Sequence, residues 1–244
     1  MKLKQLAFGS FAYAYSTGHD PVYQNMISDR NFLKRMKTQP TKGDCQKIRD
    51  FLFKYRITWI PEDFGHQLFS KWNYLKGYVK QIAGERLATC NLESTGVSNT
   101  IRHLYALLYT SIWGGDTTVT KVMHFINPDL FVMRDDDITS HYHKPGDKIP
   151  TWDIEDSGNP SGLKIILINH DYGYVRFLTC MQKCIEEINK DFEKLSLPGT
   201  TSRYLSEKLG YKPERPLTKF LDDYNWITIT KKWPSTIPSW LLNL

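Results

Sequence analysis

The chain has 244 residues, of which 41% are hydrophobic and 14% aromatic, enough apolar side chains to exclude a disordered protein and to fill one core or two lobes sharing a cleft. No apolar run approaches the roughly 18 residues of a membrane helix, and the N-terminus lacks a signal-peptide layout, so we expect no membrane association and a cytoplasmic location. A net charge of +6 permits a polyanionic partner. Four scattered cysteines without a CxxC pair are too few for a disulfide scaffold and give no sign of an iron–sulfur cluster.

The first half of the sequence predicts consecutive amphipathic helices. Asp44 can cap a helix that continues to Tyr55, because its apolar residues recur at steps of three and four. The same spacing predicts a second helix from about Phe64 to Ala83. A third helix begins at Ser98 or Asn99 and stops at Ser111.

Two glycines then predict a helical hairpin. Gly114 and Gly115 do not continue a helix, and residues 116–118 can cap a new one from about Val119 to Ile126. The new helix ends at Asn127, since the residue before a proline is biased away from helix. The apolar residues 130–133 read as an extended link, after which Asp135 or Asp136 caps a short helix to about His143.

The C-terminal half is predicted to be helical apart from two candidate strands. A polar loop at 144–162 precedes Lys164–Ile168, which periodicity does not distinguish from a buried helical turn. A long helix follows from Tyr172 to about Phe192. Shorter helices are predicted at 202–209, stopped by Gly210, and after Pro216. The final segment, beginning ITIT, alternates as a strand does.

Charge is distributed unevenly along the chain. Between Arg30 and Arg56 there are nine basic residues against two acidic ones, whereas Asn127–Asn159 holds eight acidic residues and three basic ones. The first segment is either a solvated surface or a face that follows nucleic-acid phosphates, and the second is either solvated or an acidic reaction site.

Lys121 and Asp135 are the residues that most clearly suggest chemistry. We expect Lys121 near the start of the second hairpin helix, where desolvation and the helix dipole would both lower its pKa, as an amine nucleophile requires. Three consecutive aspartates, Asp135, Asp136 and Asp137, exceed what helix capping needs. A carboxylate fixed on helix amides beside an apolar wall can stabilise an oxocarbenium-like sugar and orient an attacking water.

The run GGDTTVTKVMHF followed by NPDLFVMRDDDI resembles the helix–hairpin–helix DNA glycosylase superfamily. Over roughly Ser98–Tyr142, Lys121 matches the lysine of the family, Asp135 its catalytic aspartate, and Ile138 the apolar residue three positions beyond. The resemblance implies an all-α fold of two lobes with a cleft between them. The single domain would span 1–244, with the hairpin and catalytic segment at 98–143 and residues 163–244 forming the second lobe.

The same resemblance implies a DNA glycosylase, with or without AP-lyase activity, that needs no cofactor or metal and acts as a monomer on double-stranded DNA with a flipped base. Its substrate would be a damaged base, in repair, or a phage hypermodified base such as glucosylated hydroxymethylcytosine, in antiviral defence. The residues expected to contact DNA are Gly114, Gly115, Thr117 and Thr118 of the hairpin and Lys34, Arg35, Lys47 and Arg49 of the basic segment. The aromatic residues Trp72, Trp113 and Tyr142 are candidates for the base pocket.

Two other classes of protein remain open from the sequence. Asp137 and His141 are four residues apart on a predicted helix, with Asp135 and His143 nearby, as in a metal-dependent phosphoesterase or nuclease. The second class is a helix–hairpin–helix DNA-binding module without catalytic activity. Carboxylates close to DNA would oppose mere binding, which favours an enzyme.

Overall fold

A computed structural model describes residues 1–55, 57–112, 115–142 and 172–233. Within these ranges the chain forms eleven α-helices and one π-helical turn and contains no strand, which confirms the all-α prediction. The helices are α1 Leu3–Thr17, α2 Asp20–Ser28, α3 Arg30–Met36, α4 Lys42–Lys54, α5 Phe64–Ile82, α6 Thr95–Ser111, α7 Gly115–Ile126, α8 Asp136–Tyr142, α9 Tyr172–Lys194, α10 Thr201–Leu209 and α11 Leu217–Asn225, and the π-helical turn is Trp226–Thr230. In the described part of the chain, no helix has both the length and the apolar character to cross a membrane.

Several helix starts differ from the prediction. Thr41, rather than Asp44, caps α4: its hydroxyl accepts from the Asp44 amide, and the Asp44 carboxylate accepts in return from the Thr41 amide. Helix α6 begins at Thr95 and α7 at Gly115, both earlier than predicted. The alternating end of the chain is not a strand up to Thr230, because it continues α11 as the π-helical turn. The other candidate strand, Lys164–Ile168, lies outside the described residues.

Two sets of helices share a single hydrophobic core. Helices α4, α5 and α6 pack in succession, and α7 packs against α3, α4 and α6. Helix α1 packs along α11 and also contacts α9 and α10, so the N-terminal helix joins the C-terminal ones. Apolar side chains from both sets belong to one contiguous buried cluster. The two-lobed organisation, with the hairpin and catalytic segment at 98–143 and the second lobe at 163–244, remains a prediction. Helix α1 packs with the helices of the second of these segments.

Gly9 allows α1 and α11 to approach closely. A Cβ atom at Gly9 would lie 2.6 Å from the Cα atom of Tyr224, closer than real Cβ atoms come to backbone. With α1 in this position, Lys219 and Asp223 of α11 are fully buried and Asp222 is almost so. The contact therefore places three charged side chains inside the protein, beside the segment that carries Lys121 and Asp135.

Candidate functional site

The segment between α7 and α8 is fixed from both ends. The residues of the link, Leu130–Met133, are fully buried. At its start, the Asn127 side-chain amide donates to the carbonyl oxygens of Ile82, at 2.7 Å, and Glu85, at 2.9 Å, so the Asn-Pro break is held against the end of α5. At its end, the Arg134 amide donates to Thr120 Oγ1 at 3.2 Å. The link thus holds the following aspartate in a set position relative to α7.

Asp135 is the N-terminal cap of α8. Its Oδ1 accepts from the Ile138 amide at 2.9 Å, and its Oδ2 accepts from the Thr230 hydroxyl at 2.8 Å. Burial raises the pKa of Asp135, while the two hydrogen bonds and the nearby Lys121 ammonium oppose that rise. Asp136 and Asp137 are exposed. Of the three aspartates, only the first is drawn into the protein.

Lys121 lies in the middle of α7, not near its start as predicted, because the helix begins at Gly115. The side chain is 8% exposed, and no hydrogen-bond acceptor among the described residues is bonded to its amine. Burial lowers the pKa of Lys121, and the carboxylates of Asp222 and Asp135 oppose that change. The predicted direction is supported, but the physical cause is desolvation rather than a helix dipole.

A buried charged cluster on α11 was not predicted. Lys219 Nζ donates to Asp222 Oδ2 at 2.7 Å and also to Asp223. Arg215 Nη1 reaches the second oxygen of Asp223 at 3.0 Å. Asp222 is the carboxylate that acts most strongly on Lys121. The sequence signal was the spacing i, i+3 and i+4 of these charges, which reads as a solvated face until α1 is known to cover it.

Asp116 forms an ion pair with Arg134, which is next to Asp135 in the sequence. Arg134 Nη2 donates to Asp116 Oδ1 at 2.8 Å, and its Nε lies 2.7 Å from Oδ2. The same carboxylate accepts from the Thr139 hydroxyl at 2.6 Å and from Tyr105. The Arg134 guanidinium also lies over the Tyr174 ring, 5.0 Å from its centroid. Asp116, predicted only as a cap, thus ties α6, α7 and α8 together, and Arg134 adds the contact with α9.

The hairpin is partly described. Trp113 and Gly114 lie outside the described residues, whereas Gly115 opens α7 with φ +58°, which glycine adopts without strain. Thr117 is half-buried and its hydroxyl donates to Asp136 at 3.2 Å. Thr118 is fully buried, so the prediction that it contacts phosphate is wrong.

An exposed tryptophan that the sequence did not single out lies beside the hairpin. Trp59, between α4 and α5, is 58% exposed, and a Cβ atom at Gly115 would lie 4.0 Å from its Cη2. An aromatic face left in solvent beside a glycine turn can stack on an unpaired base.

Three of the four basic residues predicted to contact phosphate make internal pairs. Arg35 makes two parallel hydrogen bonds of 2.7 Å to Asp44, and the pKa of Asp44 is lowered to about 2 chiefly by that guanidinium. Lys47 donates to Asp29 at 2.7 Å, and Arg49 donates to the Pro61 carbonyl at 3.2 Å. Lys34 is exposed, and its ammonium has no partner among the described residues. Of the four predicted phosphate contacts, only Lys34 is free without breaking an existing interaction.

The two described pocket candidates differ. Trp72 is fully buried and its indole N–H donates to the Thr38 carbonyl at 3.2 Å, so it is a core residue with no face open to a base, and its assignment to the pocket is wrong. Tyr142 is half-buried at the end of α8; its hydroxyl donates to Asn225 at 3.2 Å and its ring packs edge-on against Phe177. Its role in a pocket remains a prediction.

The alternative of a metal-dependent phosphoesterase or nuclease has few candidate ligands among the described residues. Asp137 and His141 are exposed on α8, and His143 lies outside the described residues. Within the described ranges, no three His, Cys, Asp or Glu side chains come together as metal ligands would. No protein-family model, curated protein or solved structure matches this chain.

Proposed function

We propose that this chain is a DNA glycosylase that excises a damaged or modified base, acting as a monomer on double-stranded DNA in the cytoplasm. The observation that carries the proposal is the pairing of Asp135 and Lys121. A carboxylate held on a helix amide and a buried amine interact electrostatically, and α8, which that carboxylate caps, packs against the π-helical turn. Neither a structural helix cap nor a solvated lysine requires that combination.

Asp135 supports the first step of base release. As the N-glycosidic bond breaks, positive charge develops on the sugar, and the departing base carries away the bonding electrons and takes up a proton. An ionised carboxylate with both oxygens held by donors stabilises that charge without reorganising. Partial burial strengthens the attraction, because the local dielectric constant is lower than that of water.

Lys121 supports a second step. An amine is a nucleophile only when neutral, and burial favours the neutral form of this one. Its nitrogen would form a bond to C1′ as the base departs and would lose one proton. The C1′–O4′ bond would then break, with its electrons going to O4′, which takes up a proton, and the product is a protonated Schiff base that permits strand cleavage. If water attacks C1′ instead, with Asp135 orienting it, only the base is lost.

DNA would approach from the hairpin side. Trp59 and the glycine turn at Gly115 adjoin each other, and the free ammonium of Lys34 adds a positive charge on α3, which packs against α7. A nucleotide has to leave the helical stack to meet Asp135, which costs a few kcal/mol and is cheapest at a damaged base. An exposed aromatic that replaces lost stacking would offset part of that cost.

The test is base release from a panel of damaged and hypermodified DNAs, read by mass spectrometry. Asp135→Asn should abolish release while DNA binding survives, and the matched variant Asp137→Asn, on the exposed face of the same helix, should retain it. Normal turnover by Asp135→Asn would refute the proposal. Activity lost to a chelator and restored by a divalent metal would indicate a metal-dependent phosphoesterase instead, and DNA binding with no product from any substrate would indicate a binding module.

The lysine has its own test, the trapping of a covalent adduct with borohydride on a substrate that the wild-type protein cleaves. Lys121→Gln should abolish trapping. Lys231→Gln is the control, because that ammonium lies over the Trp226 ring outside the core. If wild-type protein releases base but never traps, Lys121 is not a nucleophile and the enzyme removes the base only.

A further inference from the structure

The π-helical turn after α11 changes the direction in which its last side chains point. The Lys231 amide donates to the Trp226 carbonyl at 2.9 Å, a separation of five residues rather than four. One extra residue in a turn rotates the following side chains by about 100° relative to a continuous α-helix. Ile227 remains fully buried and anchors the turn, while Thr230 comes to face α8.

Thr230 makes one specific contact in that position. Its hydroxyl donates to Asp135 Oδ2 at 2.8 Å, although the two residues are 95 positions apart in the sequence. The other oxygen of the carboxylate accepts from the Ile138 amide. Donors from two separate elements therefore hold the two oxygens, which sets the plane of the carboxylate and satisfies both oxygens.

We propose that Thr230 is a positioning residue for Asp135: the π-helical turn brings its hydroxyl to the carboxylate, fixes the orientation of that group and favours its ionised form. A catalytic role for this contact rests on the proposed glycosylase function. The effect of Thr230 on the Asp135 carboxylate can be tested whatever the protein catalyses. A carboxylate that must stabilise a sugar cation has to be both ionised and correctly aimed when the bond breaks.

Other charged groups near Asp135 do not replace this contact. Lys121 of α7 favours the ionised form, and Asp222 of α11 disfavours it. Asp136 and Asp137, on the same helix, are exposed, and Arg176 of α9 is bonded to the Tyr142 carbonyl at the far end of α8. The π-helical turn itself carries no ionisable side chain, so Thr230 acts only through its hydroxyl.

The direct test is an NMR titration of the Asp135 carboxyl carbon in protein labelled with ¹³C-aspartate, with the signal assigned by its loss in Asp135→Asn. Thr230→Val removes the hydroxyl at nearly constant volume and should raise the pKa of Asp135 above its wild-type value. Thr230→Ser keeps the hydroxyl and should leave that pKa close to the wild-type value. An unchanged pKa in Thr230→Val would overturn the inference, whatever reaction the protein catalyses.

The catalytic part is read from the pH profile of base release. Thr230→Val should lower the rate about tenfold at mildly acidic pH, the loss expected for one hydrogen bond to a charged group, and should shift the acidic limb to higher pH. A variant that was merely misfolded would lose activity equally at all pH values. If the carboxyl titration shifts as expected but wild-type protein releases no base, the contact stands and the glycosylase proposal fails. If base release is normal at every pH in Thr230→Val, the positioning role fails and the glycosylase proposal stands.

Discussion

Replacing Gly9 by alanine should destabilise the protein, although alanine is the better helix former. The new Cβ atom would lie 2.6 Å from the Tyr224 Cα atom, and a backbone atom cannot move aside as a side chain can. Overpacking costs up to about 3 kcal/mol, and the helical preference of alanine returns about 1 kcal/mol. The free energy of unfolding should therefore fall by about 2 kcal/mol, equivalent to a midpoint roughly 4–8 °C lower for a chain of this size.

Gly77→Ala is the matched control. Gly77 is an exposed residue of α5, and nothing lies within 4 Å of where its Cβ would be. The same substitution should stabilise the protein there by about 0.5–1 kcal/mol. Thermal and urea unfolding followed by circular dichroism would measure both variants. If Gly9→Ala proved as stable as the wild-type protein, the close packing of α1 on α11, and with it the burial of Lys219 and Asp222, would be refuted.

Three further outcomes are expected. Asp135→Asn should be more stable than the wild-type protein at pH 7 and equal to it in acid. Burial raises the pKa of Asp135 in the folded protein, so the free energy of unfolding of the wild-type protein falls as pH rises and the carboxyl ionises, whereas the asparagine stays neutral. An equal or lower unfolding midpoint at pH 7 would contradict this. His124 is buried, and desolvation lowers its pKa to about 4. The unfolded chain therefore takes up the imidazole proton first as pH falls, and the free energy of unfolding should decrease by about 3 kcal/mol between pH 6.5 and 4. Unfolding measured at a series of pH values would show this dependence, and His124→Asn should weaken it. Trp59→Ala should weaken DNA binding roughly 5- to 150-fold in a fluorescence anisotropy titration, the equivalent of one stacked base. Tyr15→Ala, which removes an 82% exposed ring from α1, should leave binding unchanged. Equal effects of the two substitutions would indicate that Trp59 has no special role in binding.

The local parts of the fold could be predicted because their evidence is local. In α5 the apolar residues at steps of three and four reveal a buried side regardless of what covers it, and the predicted helix agrees with the observed one. The cap at Asp135 and the stop at Gly210, whose φ is +74°, likewise depend only on neighbouring backbone groups. The run ITIT was misread because β-branched alternation resembles a strand, whereas the preceding helix carries it on as a π-helical turn.

The candidate site also has a part that local sequence predicts and a part that depends on tertiary contacts. The sequence by itself determined the helical class of the chain and identified Lys121 and Asp135, because a glycine turn, a lysine and a capped aspartate follow one another within one short segment. Only the tertiary structure decided that α1 covers the charges of α11, that Lys121 is buried, and that Thr230 bonds to Asp135. Those contacts join residues that are distant in sequence, and desolvation depends on which surface comes to lie over a side chain, which no spacing along the chain records.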